Sequence, residues 1–253
     1  MAADRPRWKR SRPVAFKSAV EGEPHLAWCG DACLVVEFGD AIDPLVNSRV
    51  RSLGVKLEGL APPWLVETVP TYRSLAVYVD PWGSHHEEIE RFVASLAKSM
   101  EAATLPPSET VLIPVCYGGH YGPDLERISG HTGLEPDEII RLHSRGLYRV
   151  FMMGFTPGFP YLGGLDPALE TPRLESPRSL VPSGSVGIAG KQTGIYSIDS
   201  PGGWNIIGRT PLSLFDPGRK FPFLIEAGMD LKFVPITSAE FEEIARGERG
   251  VEP

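Results

Sequence analysis

The chain has 253 residues, which at about 150 residues per domain lies between one large domain and two modest ones. Its 42% apolar, 23% charged and 9% aromatic content excludes a wholly disordered, collagen-like or coiled-coil protein. A formal net charge of −7 argues against condensation on a nucleic-acid backbone or an anionic membrane, and neither partner is expected.

Residues 1–24 run against that sign, with Arg5, Arg7, Lys9, Arg10, Arg12 and Lys17 set against Asp4, Glu21 and Glu23. Lacking an apolar stretch of signal-peptide length, they read as a basic, disordered tail. Residues 34–38 (LVVEF) are strand-like, and Asp43-Pro44 offers an N-cap followed by a proline at the first helical position. In the helix that follows, Val46, Val50, Leu53, Leu57 and Leu60 lie on one face until Pro62-Pro63 stops it. Strand-like runs at Leu65 to Val69 and Leu75 to Val79 precede Ser84-His-His-Glu87, which has capping-box spacing, and an apolar stripe from Ile89 to Met100. This order closes naturally as an α/β sandwich with helices on one face, residues 25–105.

Pro106-Pro107 lies in a linker-like segment, Ala102 to Glu109, and marks a boundary. Beyond it come a strand at Val111 to Val115 and two helices, near Asp124 to Ser129 and Pro136 to Ser144. From Tyr148 the texture changes. Short β-prone runs (148–152, 185–189, 205–207 and 212–215) alternate with glycine and proline, as in a β-barrel or sandwich. The whole reads as an α+β protein, with a barrel or sandwich over 106–240 and a C-terminal tail at 241–253.

Cys29, Cys33 and Cys116 are too few and too odd in number for a disulfide framework. A reducing cytoplasm is the expected compartment, with Cys29 and Cys33 as buried thiols and no membrane-spanning helix. No metal site is expected, because the histidines lack ligand spacing. His143, closing a helix just before the glycine-rich region, is the one candidate acid or base. Gly184 to Lys191 superficially resembles a phosphate-binding loop, but five residues separate its outer glycines and Gln192 follows the lysine. Arg173, Arg178, Arg209 and Lys191, interleaved with Ser183, Ser185, Gln192, Thr193, Tyr196 and Ser200, suit a carboxylate or phosphate ligand.

The motif string from Tyr117-Gly-Gly through GPDL (122–125), RVFMMGFTPGFPYLGGLD, TPR, SPR and VPSGSVGIAGKQTGIYSIDSPGGWNIIGRTPLSLFDP resembles the KipI family. So do GDACLVVEFGDAIDPLVN (30–47) and ETVPTYRSLAVYVDP (67–81). That family includes the B subunit of the prokaryotic 5-oxoprolinase complex, the allophanate hydrolase subunit 1 proteins and the carboxyltransferase-like domains of urea carboxylases. The resemblance implies an N-terminal α/β domain followed by a C-terminal cyclophilin-like β-barrel. It further implies one component of an ATP-dependent lactam hydrolase that converts 5-oxo-L-proline to L-glutamate. ATP with Mg2+ would act at the level of the complex. The partners would be a carboxyltransferase-like C subunit and a further 5-oxoprolinase A subunit, with no activity in their absence.

By position in the motif, Arg178, Arg209 and His143 become candidates for catalysis. Arg173, Ser183, Ser185, Gln192, Thr193, Tyr196, Tyr161 and Trp204 become candidates for substrate binding. The family often carries an acidic residue after Tyr-Gly-Gly, where this chain has His120-Tyr121. Two other roles belong to the same family: a regulatory binder that inhibits a histidine kinase, and a urea carboxylase or allophanate hydrolase-like component.

Overall fold

The computed structural model describes residues 23–82, 85–99 and 110–248. The expected basic tail up to residue 22, the capping serine Ser84, Met100 and the linker segment 101–109 lie outside them. The architecture is mixed α+β and divides into two compact units on either side of Pro107 and Ser108.

In the first unit, β1 (His25–Trp28), β2 (Cys33–Glu37), β3 (Leu65–Pro70) and β4 (Ser74–Val79) form an antiparallel sheet in the order β1-β2-β4-β3. Helices α1 (Pro44–Leu60) and α2 (His86–Ser99) close a core with one face of it. The local chemistry of α1 is that of its sequence: Asp43 accepts from the N–H groups of Leu45 and Val46 at 2.7 and 3.4 Å, and Pro44 opens the helix. Val46, Val50, Leu53 and Leu57 are buried against Leu34, Val36, Leu75 and Val77. Leu60, the last member of that stripe in sequence, is exposed in the final turn. Cys33 is buried as expected, but Cys29 is exposed, because the chain has already left β1 at the tip of the β1–β2 hairpin.

The second unit is built on β5 (Thr110–Tyr117), β6 (Tyr148–Met153), β7 (Pro160–Gly163), β9 (Ser185–Ala189), β10 (Gln192–Ile195), β12 (Asn205–Arg209) and β13 (Asp230–Pro235). These seven strands close a barrel in the order β10-β7-β6-β13-β5-β12-β9. All its pairings are antiparallel except β5 with β13, where Val111 to Val115 run in register with Leu231 to Pro235. Strands β8 (Arg178–Val181) and β11 (Ser200–Gly202) form a separate two-stranded ribbon. Helices α3 (Leu125–Thr132) and α4 (Pro136–Arg145) bury Leu125, Ile128, Ile139 and Leu142 in the same cluster as Val115, Val150, Ile188, Leu231 and Phe233. Burying each such aliphatic side chain stabilises by about 1.5–3 kcal/mol relative to leaving it exposed.

Two expectations differ from the structure here. Residues 212–215 are not a strand: with Pro211 and Pro217 flanking the run, only Phe215 bridges, to Phe223. Helix α5 (Ser238–Ala245), opened by a capping box between Thr237 and Glu240, runs across the expected 240/241 edge. None of the helices among the described residues is long and apolar enough to cross a membrane.

Candidate functional site

The segment between β6 and β7, Gly154-Phe-Thr-Pro-Gly-Phe159, is a tight loop. Gly154 N–H donates to Phe159 O, Phe159 N–H to Thr156 O, and the Ser197 hydroxyl to Pro157 O, at 3.1, 3.1 and 2.6 Å. Gly158 sits at φ +79°, and a Cβ there would come within 2.9 Å of Phe215 Cβ, so glycine is required on both counts. Phe155 adopts φ +64° without being glycine, and its ring is 60% exposed. Beneath it Phe159, 1% exposed, is the hub of an aromatic cluster. It meets Tyr161, Tyr196, Trp204 and Phe155 at ring separations of 4.9, 5.3, 5.5 and 5.6 Å, three of them edge-on. Gly202 allows this packing, since a Cβ there would fall 2.2 Å from the Tyr196 phenol oxygen.

Arg173 is exposed and precedes Leu174, whose N–H donates to Gly203 O at 2.8 Å beside the Gly202 that abuts Tyr196. Burial raises the pKa of both the Tyr161 and Tyr196 phenols, and the Arg173 guanidinium opposes that rise at each. At Tyr196 the nearby backbone N–H of Trp204 opposes it as well. Among the described residues Arg173 has no ion-pair partner.

Arg178, opposite Gly202 on the β8–β11 ribbon, is tied instead to Asp124, its Nη2 donating to Oδ1 at 2.7 Å. The other carboxylate oxygen accepts from Ile206 N–H at 2.6 Å. Arg178 Nη1 is buried without a hydrogen-bond partner among the described residues. Asp124 is absent from the candidates that the sequence suggests. Its signal, an acid just before a helix start, does not reveal a partner 54 residues away.

Arg173, Arg178, Tyr161, Tyr196 and Trp204 therefore belong to one neighbourhood. Arg209 and Ser183 form another, with Arg209 Nε donating to Ser183 O at 2.7 Å and Ser185 paired with Arg209 across β9 and β12. Gln192 begins β10 opposite Ala189.

His143, on α4, and Thr193, on β10, meet at a third place, and both are fully buried. The Thr193 hydroxyl donates to Gly187 O at 3.0 Å, so it must accept from His143 Nε2–H at 2.9 Å. That leaves His143 Nδ1 as the acceptor of the Tyr117 hydroxyl at 2.8 Å. The imidazole stacks on Phe233 with centroids 4.4 Å apart, and burial pushes its pKa down to about 3. With the ring fully buried and both its nitrogens engaged, His143 is a structural neutral histidine rather than the acid or base its sequence position suggests. Thr193, its partner, has no hydroxyl to offer a substrate.

A free cation bordering an aromatic cluster suits a small ring that carries a carboxylate.

Comparison with known proteins agrees across most of the chain. Residues 24–225 match the family described as carboxyltransferase domain, subdomain C and D. The 5-oxoprolinase B subunit of Bacillus subtilis (strain 168) is 40% identical over 226 residues, which cover 84% of this chain and 92% of that protein. The protein of the same name from Escherichia coli O157:H7 is 42% identical over 207 residues, 81% of this chain and 93% of that one. Among solved structures, the K. lactis urea amidolyase matches with a TM-score of 0.74 over 92% of this chain at 19% identity, which is a likeness of fold. The chain spans 16% of that enzyme's length.

Proposed function

Because the chain belongs to the carboxyltransferase domain, subdomain C and D, family, we propose that it is the B subunit of an ATP-dependent 5-oxoprolinase complex that opens 5-oxo-L-proline to L-glutamate. A carboxyltransferase-like C subunit and a further A subunit are its partners, and it is inactive without them. The observation that carries this reading is the 40% identity to a 5-oxoprolinase B subunit over 92% of that protein's length. We read the two units as an N-terminal α/β sandwich domain and a C-terminal cyclophilin-like barrel domain, working in the cytoplasm.

Arg173 holds the substrate carboxylate, and the half-buried ring of Tyr161, backed by buried Phe159, forms the wall against which the lactam lies. Arg178, braced by Asp124, keeps the β8–β11 ribbon in place beside that wall, and Arg209 does the same for the Ser183 turn. The residues that superficially resemble a phosphate loop do not fit a triphosphate. Ser185–Ala189 is strand β9 and Lys191 sits on an exposed turn into β10, with no helix N-terminus to receive phosphate oxygens. The nucleotide and its magnesium are therefore assigned to a partner, and this chain positions the substrate.

A second reading, a regulatory binding protein, draws on the exposed rings of Phe155, Phe221 and Phe223. ATP-dependent glutamate release from 5-oxoproline separates the two. The mixture of this chain with the C and A subunits releases glutamate and the mixture lacking it does not. Equal release from both mixtures would overturn the enzyme reading.

A further inference from the structure

The backbone at Phe155 is held where glycine belongs. A non-glycine residue at φ +64° is disfavoured, yet the loop is pinned on both sides of it, by Gly154 N–H to Phe159 O at 3.1 Å and by Thr156 N–H to Gly154 O at 2.8 Å. The Thr156 hydroxyl lies 3.3 Å from that of Ser197. The strain does not serve to bury the ring, which remains 60% exposed. What it does is set the phenyl ring edge-on to Phe159 and Tyr196, at 5.6 and 6.4 Å, as a rim standing above a buried aromatic floor. On the same cluster, Arg173 precedes Leu174, whose N–H donates to Gly203 O at 2.8 Å next to the Gly202 that abuts Tyr196, and its guanidinium has no ion-pair partner among the described residues. An exposed aromatic rim, an aromatic floor and a free cation at one place match a ligand with one flat apolar ring and one carboxylate.

We infer that Phe155 is a specificity-determining residue, whose ring covers the five-membered ring of a cyclic amide while Arg173 holds its carboxylate. This rests on the proposed 5-oxoprolinase function and deepens it by naming the feature selected, which is a small closed ring. A compact lactam presents a flat face to the phenyl group at no cost in internal rotation. An open-chain amide of the same carbon number has several rotors to freeze and no such face. The contact is made with substrate bound and is retained through ring opening, so it governs KM rather than kcat.

The test uses the assembled three-component complex with wild-type, Phe155→Gly, Phe155→Leu and Phe155→Tyr chains. KM and kcat for 5-oxoproline are measured together with the thermal midpoint of each isolated chain. Glycine adopts φ +64° without strain, so Phe155→Gly keeps the loop and removes the ring. The expected result is an undiminished midpoint, a KM raised on the order of tenfold and a kcat within about twofold of wild type. Phe155→Leu falls between, and Phe155→Tyr restores the wild-type KM.

An unchanged KM in Phe155→Gly, with the wild-type complex turning over, overturns this inference and leaves the function standing. Loss of association with the partner proteins at an undiminished midpoint also overturns it, since the ring would then be packing on a partner. A wild-type complex that releases no glutamate overturns the function, and this inference with it.

Discussion

Arg178 donates through Nη2 to Asp124 Oδ1 at 2.7 Å, and Asp124 in turn holds the backbone N–H of Ile206 through its second oxygen. One carboxylate thus joins the start of α3, the β8–β11 ribbon and strand β12. The Asp124 side chain is 8% exposed and that of Arg178 33%. Removing the acid therefore strands a half-buried cation and an amide donor together.

Asp124→Ala should destabilise the chain by about 2–3 kcal/mol, below the range for a fully buried pair because the guanidinium retains some solvent. Asp124→Asn, which keeps an acceptor for Ile206 N–H, should cost about half as much. Urea unfolding of Asp124→Ala, Arg178→Ala and the double variant, read as a double-mutant cycle, measures the coupling. A cycle that closes at zero would mean the pair contributes nothing beyond the separate groups.

The buried imidazole makes stability depend on acid. His143 has a pKa lowered from 6.5 to about 3 in the folded barrel. Below pH 6.5 the unfolded chain takes up a proton that the folded one refuses, so the folded state loses ground as pH falls toward 3 and loses none above 6.5. The slope is about 1.4 kcal/mol per pH unit inside that window, or on the order of 2 kcal/mol between pH 6.5 and pH 5. His143→Gln carries no such penalty. It should be the less stable protein at pH 7, with its deficit relative to wild type shrinking by about that amount at pH 5. Denaturant titrations at the two pH values decide it, and a constant deficit would show that His143 takes up its proton in the folded state as readily as in the unfolded one.

The contrast between α1 and these two sites shows what the sequence alone could carry. Asp43, Pro44 and the apolar face from Val46 to Leu57 act within a few residues of one another, so the cap, the start and the buried side of α1 were legible. The change to short strands after Tyr148 was legible for the same reason. Strand β13 was not: its parallel partner β5 lies about 120 residues earlier, and nothing local in Asp230 to Pro235 says which strand it will join. The place of His143 near a helix C-terminus suggests a solvated ring whose charge the helix dipole favours. The face it turns inward, towards Tyr117, Thr193 and Phe233, depends on strands far from it in sequence. Asp124 and Arg178 were each visible, but not as a pair. Phe155 stands in the motif string without a role, because its left-handed backbone and exposure are tertiary facts.

Arg173 and Arg178 should separate cleanly in experiment although they stand five residues apart. Arg173 is exposed and outside any ion pair among the described residues. Arg173→Ala should therefore shift unfolding free energy by less than about 0.5 kcal/mol while raising KM for 5-oxoproline on the order of tenfold in the assembled complex. Arg173→Lys, which keeps a charge but not the planar fork, should recover part of that loss. Arg178→Ala should show the reverse balance, with a stability loss of about 2 kcal/mol in line with its buried partner. Equal effects of Arg173→Ala and Arg178→Ala on melting would contradict the assignment of one as a ligand contact and the other as a brace.

Gly202 tests how tightly the aromatic floor is built. A methyl group there would meet the Tyr196 phenol oxygen at 2.2 Å and its ring carbons at 2.7 Å. Tyr196 is 1% exposed, with Phe159 edge-on at 5.3 Å, so the ring has nowhere to swing without displacing its neighbours. Gly202→Ala should cost about 2–3 kcal/mol through overpacking. It should also raise KM for 5-oxoproline, since the exposed Phe155 ring, packed edge-on to Tyr196, moves with it. Tyr196→Phe removes the clashing oxygen. Because the ring carbons still obstruct the methyl group, the double variant should recover only part of the loss. Full recovery of both melting and KM in the double variant would show that the phenol oxygen alone sets the fit.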